Sequence, residues 1–316
     1  RGVGLEESRT SASADTLFGA LCMMWRDLYG LAGKAEVGQR GLNALLAEFQ
    51  CAGARPFLLS SAFPYVGTVR FFPCPLVSGV KGDDKAWRRV QFVSAARFAQ
   101  LLAGERPGLE RAHCLNGGTV WVSAEELPAL VPWLDGQTGT YLFWRHAVVP
   151  RVTLDRITAA STIWQLGSVQ FAEGCGLWFA AQIADNWRAQ FEAALRLLGD
   201  TGLGGERGAG YGLFTLAQRA ELALPSASAS NHFVTLSPCV PANANELAVL
   251  MADAESSYHL MIRRGWVTST EAGNLRRPDV WMFGEGSFLC GADGVAAGRL
   301  VNATPAASPH PVWRYG

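Results

Sequence analysis

Lysine is almost missing from this chain. Of its 27 basic residues only Lys34, Lys81 and Lys85 are lysine, and the rest are arginine. Net charge is missing too, because the 27 basic residues are matched by 27 acidic ones. That balance excludes a free-standing, salt-driven nucleic-acid binder, which carries a basic excess. A genome whose base composition favours Arg and Ala over Lys accounts for part of the bias. Arginine nevertheless makes planar, bidentate and stacking contacts that lysine cannot. Long apolar runs are also lacking. None approaches 18 residues, so no transmembrane helix and no membrane partner are expected. No charged segment followed by an apolar one opens the chain, which starts at Arg1. It is therefore expected to be trimmed rather than targeted, and to work in the cytoplasm.

Recognisable catalytic and metal motifs are absent as well. The seven cysteines never stand at C-x-x-C spacing and their number is odd, so neither a zinc site nor a disulfide framework is indicated. Reduced, mostly buried thiols are expected instead. The histidines (His113, His146, His232, His259 and His310) are scattered. No H-E-x-x-H, G-x-S-x-G, or H-x-E with C-x-x-C occurs. Asp83 and Asp84 are adjacent acids in a polar stretch, which is weak ground for a cation site. The sequence thus indicates no catalytic residue, no metal and no cofactor.

What is present suits a folded protein of two parts. The 316 residues are 49% hydrophobic and only 17% charged, enough to bury two cores of about 150 residues each. A composition break at residues 148–150 divides the chain into 1–150 and 151–316. Ser13 can cap a helix whose apolar positions are Leu17, Phe18, Leu21, Cys22, Trp25, Leu28 and Tyr29, with Asp15 favourably placed in the first turn. A second helical stretch lies near 42–49. The prolines in 57–80 predict edge strands and a long hairpin-like loop. A strand at 90–93 and a short helix at 94–103 follow. Alternation over 151–171 predicts strands, and 177–183 reads as one buried strand. Asp185 or Asn186 then caps an amphipathic helix with Trp187, Phe191, Ala194, Leu195 and Leu198 on one face, ended by Gly199. The segment 211–216 reads as a further strand.

Three features suit RNA. The first is the glycine-rich loop 204–212, with Arg207 inside it. It follows a helix rather than opening one, and no Gly-Lys-Ser/Thr is present, which argues against a dinucleotide or P-loop site. Its glycines still let backbone approach a ligand closely and point N–H groups at an anion. A plain loop would also fit. The second is the stretch Arg151, Thr153, Asp155, Arg156, Thr158, Ser161 and Thr162. Arginine and hydroxyl groups recur there in a pattern that suits phosphate and ribose or, equally, a solvated strand face. The third is the basic cluster Lys81, Lys85, Arg88 and Arg89 around Trp87. It could grip a backbone and stack a base, or form an ordinary charged hairpin tip.

Taken in order, GVGLEES (2–8), ADTLFGAL (14–21), LDRITAAST (154–162), ERGAGYG (206–212), IRRGWV (262–267), FGEGS (283–287) and HPVWRYG (310–316) resemble one family. It is the RAMP subunit that holds the 5′ tag of the guide RNA in type III-A CRISPR effectors. The chain departs from the pattern with Ala14-Asp15 where the family has Ser-Asp at the first long helix. The family's first strand would precede Arg1, and its C-terminus normally runs a little beyond Gly316. The resemblance implies an α+β fold of two ferredoxin-like, RRM-related domains, 1–150 and 151–316. It also implies a thumb-like hairpin at about 65–92. The implied role is non-catalytic: antiviral defence by binding the crRNA tag, docking the large polymerase/cyclase subunit and a backbone RAMP subunit, and meeting target RNA only indirectly. Arg207 with Gly205, Gly208, Gly210, Tyr211 and Gly212 would cradle the tag. Arg151, Arg156, Thr158, Ser161 and Thr162 would line the groove beside them. Lys81, Lys85, Arg88 and Arg89 would act at the thumb. A tag-binding subunit of another type III subtype would have the same chemistry. The competing reading is a RAMP endoribonuclease that processes precursor crRNA with His146 or His310 as base.

Overall fold

The computed structural model describes residues 8–34, 38–51, 55–80, 84–225, 232–267, 275–291 and 298–316. Lys81 and Asp83 lie outside them. The chain forms two compact units, Arg1–Ala12 with Phe63–Cys74 and Ser78–Trp178, and Ser13–Ala62 with Pro75–Val77 and Phe179–Gly316. The expected boundary at 150 needs correction. Pro150 stands mid-strand in Trp144–Leu154, where it pairs with Gln165. A composition change there marks a change in exposure, not the end of a core.

The first unit is built on a six-stranded sheet. In spatial order its strands are Cys175–Trp178, Phe63–Val66, Val69–Pro73, Phe92–Ser94, Val120–Trp121 and Cys114–Leu115. All neighbours are antiparallel except Phe92–Ser94 with Val120–Trp121. The expected edge strands in 57–80 are therefore partly interior. Pro64 is tolerated because it pairs with Leu177 on one side, while pairing to the other neighbour begins only at Tyr65. Phe72, Val93, Phe98, Leu101 and Trp121 are buried, and Phe71 is buried against Phe143 on the opposite face of the sheet. Helix Ala95–Leu102 joins them, with Phe98 stacked on Phe72 at 4.6 Å. Each such side chain contributes roughly 1.5–3 kcal/mol by burial.

The long hairpin of this unit also lies elsewhere than expected. Among the described residues of 65–92 stand a short hairpin, the end of Phe63–Val66 with Val69–Pro73, and a one-turn helix, Asp84–Trp87. The extended hairpin is Trp144–Leu154 against Ser161–Phe171, eleven residues on each side. Its sequence alternates, which is what a two-stranded ribbon with one better-covered face requires.

The second unit packs helix Ala14–Tyr29 against helix Asp185–Thr201. Trp25 meets Trp187 at 5.7 Å, and Phe18, Phe49, Phe57, Phe191 and Tyr315 form one aromatic cluster. The 3.6-residue period predicted both helices. The second helix passes through Gly199 and ends at Gly202, whose φ of 89° suits only glycine. Gly199 serves a different purpose, since a Cβ there would stand 2.7 Å from the Phe214 carbonyl oxygen. The expected single strand 177–183 is two strands, Cys175–Trp178 and Ala181–Ile183, the latter pairing with Phe57–Leu59. The expected strand 211–216 is irregular: Phe214 donates its N–H to Gly199 on the preceding helix, not to a strand.

A smaller core in the same unit holds Cys239, Leu250, Phe283 and Leu289, between helix Ala244–Ala252 and strands Val280–Phe283 and Phe288–Cys290. Three segments that carried the resemblance meet beside the first helix. Buried Asp15 accepts from Arg314 Nη1 at 2.7 Å, from Arg263 Nε at 3.1 Å, and from the Tyr315 N–H at 3.1 Å. Arg314 Nη2 also donates to the Arg264 carbonyl. Arg277 stands close enough that burial, and then the charge of Arg314, push its pKa down. Asp15 was read as a partner of the helix dipole; its larger part is as counter-ion to two arginines. None of the described cysteines forms a disulfide, but only Cys239 is fully buried and Cys51 is exposed. Burial pushes the thiols of Cys22 and Cys74 up to about 12, which keeps them protonated and inert. Among the described residues no helix is long and apolar enough to cross a membrane.

Candidate nucleic-acid interface

The predicted contact residues fall into three places. Arg151, Arg156, Thr158, Ser161 and Thr162 are gathered on the long hairpin of the first unit. Thr153 and Thr162 are direct cross-strand partners, as are Arg151 and Trp164, so these four side chains share one face. The Trp164 indole N–H donates to the Thr153 hydroxyl at 3.0 Å. The opposite face is apolar and exposed, with Val148, Val152, Leu154 and Ile163.

The hairpin tip is tied by Asp155. Its Oδ1 accepts the N–H groups of Ile157 and Thr158, both at 2.8 Å, and its own N–H donates to Ala160. Arg156 and Ile157 are thereby presented outward, Ile157 with 94% of its surface exposed. The Thr158 N–H first, then that of Ile157, lowers the Asp155 pKa below its ordinary 3.8. A depressed carboxylate stabilises the tip above its ordinary pKa, and that support is lost as pH falls through the lowered value. We expect the Ile157 and Thr158 amides to be protected at neutral pH. Their protection factors should fall as pH drops below the ordinary carboxylate value and through the lowered one, as hydrogen exchange by NMR corrected for intrinsic rates would read. Unchanged protection down to about pH 2 would refute the clamp.

Lys85, Arg88 and Arg89 are also in the first unit, exposed at the helix Asp84–Trp87 and the turn after it. Trp87, between them, does not project as a stacking platform. It packs edge-on against fully buried Trp121 at 5.8 Å and so anchors the segment.

The glycine loop belongs to the second unit. Gly204, Gly210 and Gly212 have φ of 107°, 84° and 77°. Glu206 is also left-handed, and a turn of 3-10 helix spans Arg207–Ala209. The loop is closed at its base by the Leu203 N–H donating to Gly212 at 2.9 Å. Among the described residues no carbonyl takes the N–H groups of Gly205, Gly208 or Gly212. Gly205, Gly208 and Gly210 are exposed, and Arg207 and Tyr211 are half-buried. Exposed amide donors beside a guanidinium are the elements of an anion cradle. A Cβ at Gly212 would collide with the Leu203 carbonyl oxygen and would need a strained backbone. Gly212→Ala should therefore destabilise the chain by about 1–3 kcal/mol and raise proteolysis within 203–214. A variant with wild-type melting and wild-type cleavage would contradict this role for the closure.

Sequence reasoning missed a fourth place. Arg264, Gly265, Trp266 and Arg276 line an open depression in the second unit, and Trp266 is 62% exposed. The Arg277 N–H donates to the Gly265 carbonyl, and Arg264 and Arg276 each reach Asp279. The adjacent R-R-G-W residues were the available signal, since arginine beside an exposed indole suits a nucleobase. The candidate bases of the enzymatic reading belong to different units. His146 is exposed in the first unit, 3.3 Å from the Thr10 hydroxyl. His310 is in the second, its Nδ1 3.2 Å from the Pro311 carbonyl.

Comparison with known proteins adds the following. Residues 228–316 match the family model of the CRISPR Csm4 C-terminal domain. A CRISPR system protein Csm4 of Thermococcus onnurineus (strain NA1) is 30% identical over 286 residues, 87% of this chain and 81% of that protein. One of Mycobacterium tuberculosis (strain ATCC 25618 / H37Rv) is 29% identical over 295 residues, covering 90% and 82%. Among solved structures, a Csm3–Csm4 subcomplex of the type III-A CRISPR–Cas interference complex matches with a TM-score of 0.65 at 14% identity, over 98% of this chain and 97% of the other. A Csm1–Csm4 cassette in complex with cA4 matches with a TM-score of 0.56 at 20% identity, over 98% and 92%.

Proposed function

The chain belongs to the Csm4 family of CRISPR-system proteins, and we propose that it is the non-catalytic subunit that holds the 5′ tag of the crRNA in a type III-A effector complex. The observation that carries this is the glycine loop. The amides of Gly205, Gly208 and Gly212, which no carbonyl takes among the described residues, and Arg207 give a small anion-binding surface on a chain with no net charge. Such a surface suits a few phosphates of one short strand, held within an assembly rather than captured from solution. The hairpin tip, with Arg156 and the hydroxyls of Thr158, Ser161 and Thr162, is the second contact, and it takes the thumb role first assigned to 65–92. Arg264, Trp266 and Arg276 are a third. The two units are read as variants of the ferredoxin-like RAMP domain. This rests on the mainly antiparallel sheet of the first and the helix–glycine-loop element of the second.

Similarity to chains solved with Csm3 and with Csm1 supports docking to a backbone RAMP subunit and to the large subunit. The remaining neutral and acidic surface suits protein neighbours, and target RNA is met only through the assembly. No cofactor enters this role, and the setting is the cytoplasm.

Three measurements test the reading. The isolated chain should bind tag RNA weakly, with affinity falling steeply in salt. The reconstituted complex should shield the tag from nuclease. A complex lacking this subunit that shields the tag equally would overturn the assignment. Incubation of the purified chain with precursor RNA should leave it intact. Clean cleavage abolished at His146 or His310 would establish the endoribonuclease reading instead.

A further inference from the structure

At the end of the second unit, side chains distant in sequence come together in a way the proposed RNA role does not use. Strand His232–Val234 pairs with Phe288–Cys290, and His232 stands directly opposite Cys290. Cross-strand partners point to the same face, with Cβ atoms about 5 Å apart. Asp253, just past helix Ala244–Ala252, completes the group. An imidazole nitrogen, a carboxylate oxygen and the thiol sulfur all lie within 4.8 Å of one another.

The surroundings fix each donor. His232 lies flat on Phe288, with ring centres 4.8 Å apart and planes within 7°. The Glu255 N–H donates to Asp253 Oδ1 at 2.7 Å, leaving Oδ2 to face His232 Nε2 at 3.3 Å. The Cys290 thiol hydrogen-bonds the same carboxylate, and the Cys290 N–H is held by the Ser256 hydroxyl at 3.1 Å. His232 Nε2 is shut off from solvent and has the Asp253 carboxylate as its ion-pair partner. A buried ring nitrogen beside a carboxylate and a thiol places three metal-type donors around one point.

We propose that His232, Asp253 and Cys290 form a binding site for a zinc-class divalent metal ion, with a fourth position open to water. Nitrogen, sulfur and one carboxylate oxygen favour zinc over magnesium or calcium, which prefer all-oxygen shells. Small side-chain rotations bring the three donors to the 2.0–2.3 Å that zinc requires. Binding exchanges the thiol proton, released to solvent, for the metal–sulfur bond. The hydrogen bond from Glu255 and the stacking of Phe288 act as the outer support that metal ligands need. Its consequence is structural, because the ion would clamp two strands and the end of a helix around the small core of Cys239, Leu250, Phe283 and Leu289.

The test uses the full chain, stripped of metal and titrated with Co²⁺ alone. One equivalent should give a sulfur-to-cobalt charge-transfer band and the strong visible bands of a tetrahedral site. One equivalent of Zn²⁺ should bleach both and raise the melting temperature. Cys290→Ser should abolish the charge-transfer band. His232→Gln and Asp253→Asn should each weaken zinc binding by about 100-fold or more, at least the loss seen when an outer-shell partner is removed. Absence of the band in the wild-type chain overturns the site. So does a band that survives in folded Cys290→Ser, since another of the seven cysteines would then hold the cobalt. If Cys290→Ser does not fold, His232→Gln decides, and undiminished zinc affinity there overturns the proposal.

Discussion

Asp15→Ala should destabilise the second unit by about 3–5 kcal/mol, the cost of leaving a buried charge cluster without its counter-ion. At 2–4 °C per kcal/mol, that is a fall in melting temperature of about 10 °C. The argument starts from burial. Asp15 and Arg314 are 4% and 5% exposed, so neither charge is compensated by water. One carboxylate answers two guanidiniums and the Tyr315 backbone. Removing it leaves Arg314 facing Arg263 and Arg277 with nothing to balance them. Asp15→Asn keeps an acceptor for the Tyr315 N–H and removes only the charge, so it should cost less than Asp15→Ala. A neutral, well-packed replacement of Asp15 and Arg314 together should recover much of the loss, because an intact buried pair is itself worth little over an apolar one. Thermal denaturation of the full chain measures all three. A shift for Asp15→Ala of under about 1 kcal/mol, the level of an exposed pair, would show that the cluster is not held by this residue.

The second large effect concerns RNA. In the reconstituted complex, Arg207→Ala and Arg156→Ala should each weaken tag binding about tenfold, or about 1.4 kcal/mol, the scale of one charge-assisted contact. Each should also reduce the slope of log affinity against log salt by about one. Neither arginine makes an ion pair among the described residues, so its charge is free for a ligand. They sit in different units and share no partner, so the double variant should lose about 100-fold. Its tag should become open to nuclease while the complex stays assembled. Equal protection in the double variant and the wild type would remove both residues from the tag site. A changed affinity with an unchanged salt slope would mean that they act through folding rather than on phosphate.

Some of this was legible in the sequence. The apolar periods that end at Tyr29 and that run through Trp187, Phe191 and Leu198 are local, and both became helices. Alternation through 151–171 became a hairpin for the same reason. The glycines of 204–212 marked a loop of left-handed turns. The hairpin position was missed at 65–92, because prolines and a basic cluster mark exposed chain without saying how far it extends. The segment 211–216 is not a strand because its Phe214 N–H is taken by Gly199 of the preceding helix, while Leu213 and Leu216 stay exposed. The sequence left the part of Trp87 open, because a base and a buried Trp121 make equal use of an indole.

The sequence by itself settled the arginine-rich, charge-balanced make-up, the helices and strands with a local period, and the family resemblance that the comparisons bear out. Only the tertiary structure decided which residues meet. Asp15 finds Arg314 across 299 positions, and His232 finds Cys290 through a strand pair. No C-x-x-C or similar spacing could announce a His–Asp–Cys group assembled in that way. The physical reason is register. A local period fixes which face of an element is apolar. The residue opposite a given side chain depends on how distant strands align, and a slip of one position would send Cys290 to the other face.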